Sequence, residues 1–408
     1  MIGERLRLPL ALVATVAVAE AAVLLLRPRE GVLDPVPVSA RSYFSTAEIE
    51  RARAYHHALL VLYGVTLLTE GGLLILLVRR PPRRLRGPFR RPLAGAAVTG
   101  AALSLGLGVA TLPVAAISRQ RSIDVGLSTQ SWSGWAGDVA KSSAIGALFA
   151  AGGGLLLVAL MRRWPRAWWA PGSVIAVGLG AAFLFVGPVL LDPLFNKFTP
   201  LPAGQVRSDV LDLARRAGVK VGQVYEVDAS RRTTAANAYV TGLGATKRVV
   251  LYDTLVKHFT RDERRLVVAH ELGHVHYHDV PRGLIFLALV APAALFGAAR
   301  LTERLSGANA IGTPRALPAA ALSIALASGA VTTVSNQLSR RVEARADTFS
   351  LTLTGAPEPF ISFERRIALR NVADPQPAGW VTALLATHPP TLQRIGAAVA
   401  YERGERPR

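Results

Sequence analysis

The chain has 408 residues, of which 51% are hydrophobic and only 18% charged, a lower charge content than soluble proteins of this size carry. Its 47 Lys and Arg outnumber 27 Asp and Glu, for a net charge of +20. The excess lies largely in short runs between apolar stretches, and no nucleic-acid reader motif accompanies it. Nucleic acid is therefore not an expected partner, while membrane lipid is. The absence of cysteine excludes thiol nucleophiles, disulfides and thiolate metal ligands.

About twenty mostly apolar residues cross a bilayer. Seven stretches qualify: Leu8–Leu26, Ala58–Val78, Leu93–Ile117, Ser143–Met161, Ala167–Leu191, Gly283–Leu301 and Leu317–Val334. The first follows Arg5 and Arg7, as a signal peptide would. It is long, contains Glu20 and lacks a small-residue cleavage site, so a retained helix is expected. The fourth and fifth are joined only by Arg162–Arg166, which predicts a hairpin; the sixth and seventh form a second one. The basic runs Arg79–Arg91 and Arg162–Arg166 should be cytoplasmic. Two stretches read as aqueous, Asp192–Asp279 and Ser335–Arg408. The expected organisation is therefore membrane helices in 1–191, two parts of one aqueous unit in 192–280 and 335–408, and a transmembrane hairpin in 281–334 between them.

In the first aqueous stretch, "LPAGQVRSDVLDLARRAGV" places Val206, Val210, Leu211 and Leu213 on one helical face. Gln223–Ser230, Ala236–Gly244 and Lys247–Leu255 read as strands, the last two joined by a Gly-containing turn. Thr260 stands three residues before Glu263, a capping box opening a helix.

That helix carries "HELGH". His270 and His274 are one turn apart, so both imidazoles leave the same face and can grip one ion. Glu271, between them, can reach a water on that ion. Imidazole and carboxylate ligands suit Zn2+, and a catalytic zinc keeps a position open for water. Small Gly273 within the motif allows close packing. A third protein ligand is needed. Glu343 can complete a His2Glu set, and Asp347, one turn on, can fix a ligand histidine's tautomer. A Glu/Asp pair at this spacing also suits a solvated helix face. His276, His278 and Asp279 are read as the end of the helix near the membrane surface, and His56 and His57 as residues preceding a membrane segment.

"HELGH" followed much later by "SRRVEARAD" resembles the type 1 CAAX prenyl proteases, integral-membrane zinc endopeptidases of the gluzincin group. "DPLFNKFTPLP", "ANAYVTGLGATKRVVLYDTL", "THPPTLQRI" and "GLSTQSWSGWAGD" are similar to further segments of that family, in the same order. The resemblance covers most of the chain from Gly126 onward. It implies a membrane α-helical fold of about seven transmembrane helices around a water-filled chamber, with a zincin-like α+β metalloprotease domain at one end. It makes Glu343 the third ligand of a single Zn2+ and Asp347 a partner of a ligand histidine. It also implies that Asn237 contacts the substrate backbone, and that His388 and Arg394 stabilise the oxyanion and bind substrate or its terminal carboxylate. The family's protease domain is cytoplasmic, which opposes the orientation expected from the basic loops.

The expected activity is zinc-dependent hydrolysis of peptide bonds in membrane-associated or lipid-modified polypeptides, with Glu271 as general base. The Arg- and Ala-rich composition suits a high-GC bacterium, which would put this multi-pass protein in the plasma membrane. Two other readings share the sequence: a quality-control protease for membrane segments, and a scaffold or transporter with a vestigial motif. A serine intramembrane hydrolase is disfavoured, since no Gly-x-Ser-x-Gly stretch occurs.

Overall fold

The computed structural model describes residues 2–86, 89–242 and 247–408. Residues 243–246, which hold the end of the expected strand Ala236–Gly244 and its turn, lie outside them, as do residues 87–88 of the first basic run.

Among the described residues, seven helices are long and apolar enough to cross a membrane, as the hydropathy reading expects. In chain order the first elements are α1 (Ile2–Leu26), α2 (Thr46–Arg79), the single turn α3 (Arg83–Arg86), α4 (Pro92–Asp124), α5 (Trp132–Arg163) and α6 (Trp169–Leu190). Several overrun the apolar stretch that announces them. Helix α2 starts at Thr46 rather than Ala58, and α5 at Trp132 rather than Ser143. The cause is local. Ser45 caps α2 in a box with Glu48, and the Ser131 hydroxyl accepts from the Gly134 N–H at the start of α5. Once nucleated, the backbone ladder continues regardless of hydropathy. The 34 residues of α2 span about 50 Å, well beyond a bilayer's hydrocarbon core.

A small aqueous unit follows: β1 (Phe198–Pro200), α7 (Gln205–Arg216), β2 (Gln223–Val227), β3 (Ala238–Thr241), β4 (Arg248–Tyr252), α8 (Asp253–His258) and α9 (Arg261–His276). Its sheet has the order β1-β2-β4-β3, with β2 and β4 parallel and the outer pairs antiparallel. Strand β1, absent from the periodicity reading, is three residues long and too short to alternate visibly. Val210 and Leu213 of α7, Val249 and Leu251 of β4, and Val268 and Leu272 of α9 make the core beneath the sheet. Strand β3 is left at the edge with one face of its backbone unpaired by the other strands.

The chain re-enters the membrane region as α10 (Asp279–Ser306) and returns as α11 (Leu317–Thr354), before α12 (Pro357–Arg370), α13 (Gly379–Leu384) and α14 (Thr391–Glu402). Helix α11 is continuous for 38 residues, so the expected membrane segment ending at Val334 and the charged helix after it are one rod.

Helix neighbours close a ring: α2 on α4, α4 on α5, α5 on α6, α6 on α10, α10 on α11, and α11 back on α2, with α1 against α10 and α11. Gly100 and Gly154 let α4 and α5 touch. A Cβ on either would meet the backbone carbonyl oxygen of Ala150 or Ala96, respectively. Only 6% of the apolar windows of α2, α4 and α6 is buried. Helices so little covered by other protein elements keep most of their apolar surface outside any packed core. Within the bundle, the Gln337 amide of α11 donates to Glu20 of α1 at 3.2 Å.

Helix alternation puts both basic loops at the end away from the aqueous unit. The "GLSTQSWSGWAGD" loop lies at the other end and fastens bundle to sheet unit. Ser128 bridges to Thr233, and Arg232 pairs with Asp138 at 2.9 Å.

Candidate metal centre

Helix α9 is set by its first turn. The Thr260 hydroxyl accepts from the Glu263 N–H, and the Glu263 carboxylate accepts from the Thr260 N–H. Glu263 is 1% exposed and also accepts from the Ser362 hydroxyl at 2.9 Å and from Arg366 at 2.6 Å. The capping group thereby ties α9 to α12. At the other end, Gly273 lies against α11, where a Cβ would meet the Phe349 ring at 3.1 Å and the Ala346 Cα at 3.4 Å.

This close crossing brings the ligand candidates together. The Nε2 atoms of His270 and His274 stand 3.2 Å apart. Glu343 Oε2 is 3.2 Å from His270 Nε2, and Oε1 is 3.6 Å from His274 Nε2. One atom from each of the three residues lies within 4.8 Å of the others. The outer nitrogens are held. His270 Nδ1 is 2.8 Å from Asp347 Oδ1, and His274 Nδ1 is 3.0 Å from Asp279 Oδ2. A carboxylate only accepts, so each Nδ1 carries the proton, which leaves each Nε2 available to give its lone pair to a cation.

The donor set fits a cation. Glu343 Oε2 is buried with no hydrogen-bond partner among the described residues, facing two imidazole lone pairs. Burial disfavours a charge on His270, yet the Asp347 and Glu343 carboxylates beside it outweigh this and raise its pKa, so positive charge between the imidazoles and Glu343 is favoured. The pocket attracts positive charge. Two nitrogens and a carboxylate at this spacing leave room for a fourth ligand.

Asp347 is clamped from behind. Arg394 donates to both its oxygens, from Nε at 2.8 Å and from Nη2 at 2.6 Å, and Arg394 Nη1 lies 2.8 Å from Glu364 Oε1. Burial pushes the Glu364 carboxyl up to about 7 despite Arg394. All three Arg394 nitrogens face carboxylates. His388 stands over the ligand set, its Nε2 3.2 Å from Glu343 Oε2 and its Nδ1 2.9 Å from the Thr387 hydroxyl.

A cleft of about 430 Å³ opens beside these groups, lined by Ala236, Asn237, His270, Glu271, His388 and Arg394. Burial raises the Glu271 pKa, with the two histidines opposing it. Asn237 stands immediately before edge strand β3, its Oδ1 accepting from the Ala238 N–H. Of the remaining histidines, His276 packs on Phe349 and lies 3.0 Å from the Ala217 carbonyl oxygen, while His278 adopts a left-handed turn starting α10; both point to connection rather than to the metal centre. Asp279 is the partner that sequence reasoning passed over as a helix end. Its spacing of five from His274 was the available signal.

A bilayer-sized helical ring carrying a His-Glu-x-x-His helix over a cleft is the build of an integral-membrane metalloprotease. The profile of Peptidase family M48 matches residues 200–402. A Bacillus subtilis (strain 168) protein named "Uncharacterized metalloprotease YhfN" is 33% identical over 307 residues, 74% of this chain and 72% of that protein. "CAAX prenyl protease 1" of Saccharomyces cerevisiae is 43% identical over 103 residues, 25% of this chain and 23% of its own. The crystal structure of S. mikatae Ste24p shares the fold, with a TM-score of 0.75 at 20% identity over 97% of this chain and 99% of that one. The chain belongs to Peptidase family M48 and to the type 1 CAAX prenyl protease group within it. It is a multi-pass membrane metalloprotease acting on a protein or peptide substrate.

Proposed function

We propose that the protein uses one Zn2+, held by His270, His274 and Glu343, to hydrolyse peptide bonds in membrane-associated or lipid-modified polypeptides. The observation that carries this reading is the convergence of two Nε2 lone pairs and a partnerless buried carboxylate oxygen, each imidazole fixed from outside by a carboxylate. Zinc there would supply Lewis acidity for the scissile carbonyl and a water of lowered pKa.

Glu271 accepts the attacking water's proton and returns it to the leaving amine. Its buried setting raises its pKa, which makes the ionised form a stronger proton acceptor than a solvated carboxylate. The substrate lies extended along β3 and adds a strand to that free edge through main-chain hydrogen bonds, with Asn237 at the strand's entrance. His388 donates to the developing oxyanion. Arg394 acts through Asp347: with its nitrogens committed to two carboxylates, it keeps the His270 tautomer rather than holding a substrate terminus.

The catalytic unit is built from 192–280 and 335–408, with the hairpin 281–334 threaded between and 1–191 forming the rest of the ring. Its arginine-rich segments face lipid headgroups rather than nucleic acid, and a bacterial host would place it in the plasma membrane. The test is purification of Glu271→Gln with its metal and identification of trapped peptides. Stoichiometric zinc with lipid-modified peptides supports the full reading. Unmodified membrane segments alone would give the quality-control reading, and a metal-free protein indifferent to His270→Ala would sink the enzyme.

A further inference from the structure

A second polar cavity of about 720 Å³ lies where α1 ends and α10 begins. Its lining includes Arg27 and Arg29 from the loop after α1, Arg282 from the first turn of α10, and Arg345 from α11. Among the described residues, no side-chain hydrogen bond or ion pair engages Arg27, Arg29 or Arg282. Arg345 is 5% exposed; its Nη2 donates to Asp279 and its guanidinium lies 4.1 Å from the Tyr277 ring centre, but its buried Nε has no partner. One carboxylate, Glu30, shares the cavity, so positive charge dominates.

The backbone is shaped to form this cavity. Gly31 has φ +76°, and a Cβ there would meet the Tyr277 hydroxyl at 3.2 Å and the Arg345 side chain at 3.5 Å. The loop can cross Arg345 only as glycine. Apolar side chains continue from the cavity toward the bilayer. Leu24 and Leu25 end α1 at 45% and 65% exposure, and Val280 and Ile285 begin α10 at 44% and 49%. Three unpaired guanidiniums and the Asp279-paired Arg345, beside exposed apolar side chains at the ends of two membrane helices, match an anion carried on hydrocarbon chains. Planar guanidiniums suit phosphate oxygens in particular, binding them in pairs.

We propose that this cavity binds the phosphate headgroup of an anionic phospholipid, with its acyl chains along α1 and α10. The site lies one residue from the metal centre, since Asp279 accepts from Arg345 and also faces His274 Nδ1. A soluble phosphate shares the headgroup chemistry but makes no use of the exposed apolar side chains.

The test is native mass spectrometry of the full chain in detergent, titrated with phosphatidylglycerol, phosphatidylcholine or inorganic phosphate. Phosphatidylglycerol should be retained over phosphatidylcholine. Arg27→Gln/Arg29→Gln/Arg282→Gln should weaken it about tenfold or more. Arg79→Gln/Arg80→Gln, which removes two charges at the opposite end, should leave it unchanged. Equal loss in both variants, loss in neither, or no preference between the lipids overturns the proposal. Displacement by millimolar inorganic phosphate overturns the lipid in favour of a soluble ligand. The three arginines are exposed and unpaired, so the variant should fold, which its melting temperature checks. Lipid retention is read apart from peptide hydrolysis, so the failure of one leaves the other standing.

Discussion

The two helices that carry the proposed metal ligands are held in place by different means. Helix α9 has 16 residues, begins with a capping box and rests on a small sheet; everything that positions His270 and His274 relative to each other is local. Helix α11 has 38 residues and is anchored through most of its length by α1, α2 and α10, so the position of Glu343 is a property of the membrane bundle. The centre is thus half a soluble motif and half a membrane one. It forms only when the bundle presses Ala346 and Phe349 against Gly273. The outer partners repeat the contrast. Asp347, from α11, is 1% exposed and locked by Arg394, while Asp279 lies just beyond the motif helix itself.

The comparison is broken most completely by removing the α11 contribution. Glu343→Gln should abolish measurable hydrolysis and leave zinc substoichiometric by elemental analysis, while α9 remains folded. Stoichiometric zinc in that variant would mean the motif helix suffices. Glu271→Gln should lower kcat by about 10²–10⁴-fold with metal retained, since it removes the proton carrier and no ligand.

The outer partners sharpen the contrast. Asp347→Asn and Asp279→Asn should each lower zinc affinity, by roughly 10–100-fold. The Asp347 effect should be the larger, because its loss also leaves Arg394 and Glu364 buried and mismatched. Competition with a chelator measures both, and a larger effect at Asp279 would reverse the ranking of bundle over motif.

The pH dependence should follow the buried base. Glu271 has its pKa raised above the ordinary 4.5, and only its deprotonated form accepts a proton, so activity is absent below that raised value and appears as pH increases through it. The acid limb of kcat/KM should sit above the normal carboxylate range. A limb at or under 4.5 would show that Glu271 is solvated or not the base. The smallest effect belongs to the cap. Thr260→Ala should cost about 1 kcal/mol of α9 stability, seen as a modest fall in melting temperature with kcat per bound zinc unchanged.

What was legible follows from distance along the chain. His270, Glu271 and His274 occupy one helical turn, and helical geometry alone brings them together. Seven apolar runs announced seven membrane helices because the bilayer imposes their length. Their ends were misjudged where a serine cap, not hydropathy, starts the helix, as at Ser45 and Ser131. Helix α11 was divided at Val334 because its composition changes there, although nothing in its backbone does. Glu343 was a weak candidate on chemistry alone, because a Glu/Asp pair one turn apart more often marks a solvated face; the family resemblance is what singled it out.

Glu364 and Arg345 left no periodic or motif signal. Their partners stand 30 and 66 positions away, and ion pairs across such separations have no sequence spacing to read. By itself the sequence determined the membrane class and the placing of two histidines and a glutamate within one helical turn, since each depends on neighbours within a turn or on a solvent that selects for length. Only the tertiary structure decided which carboxylate meets the histidine pair, which carboxylates stand at the outer imidazole nitrogens and which arginines remain free. Those outcomes are set by where long helices cross.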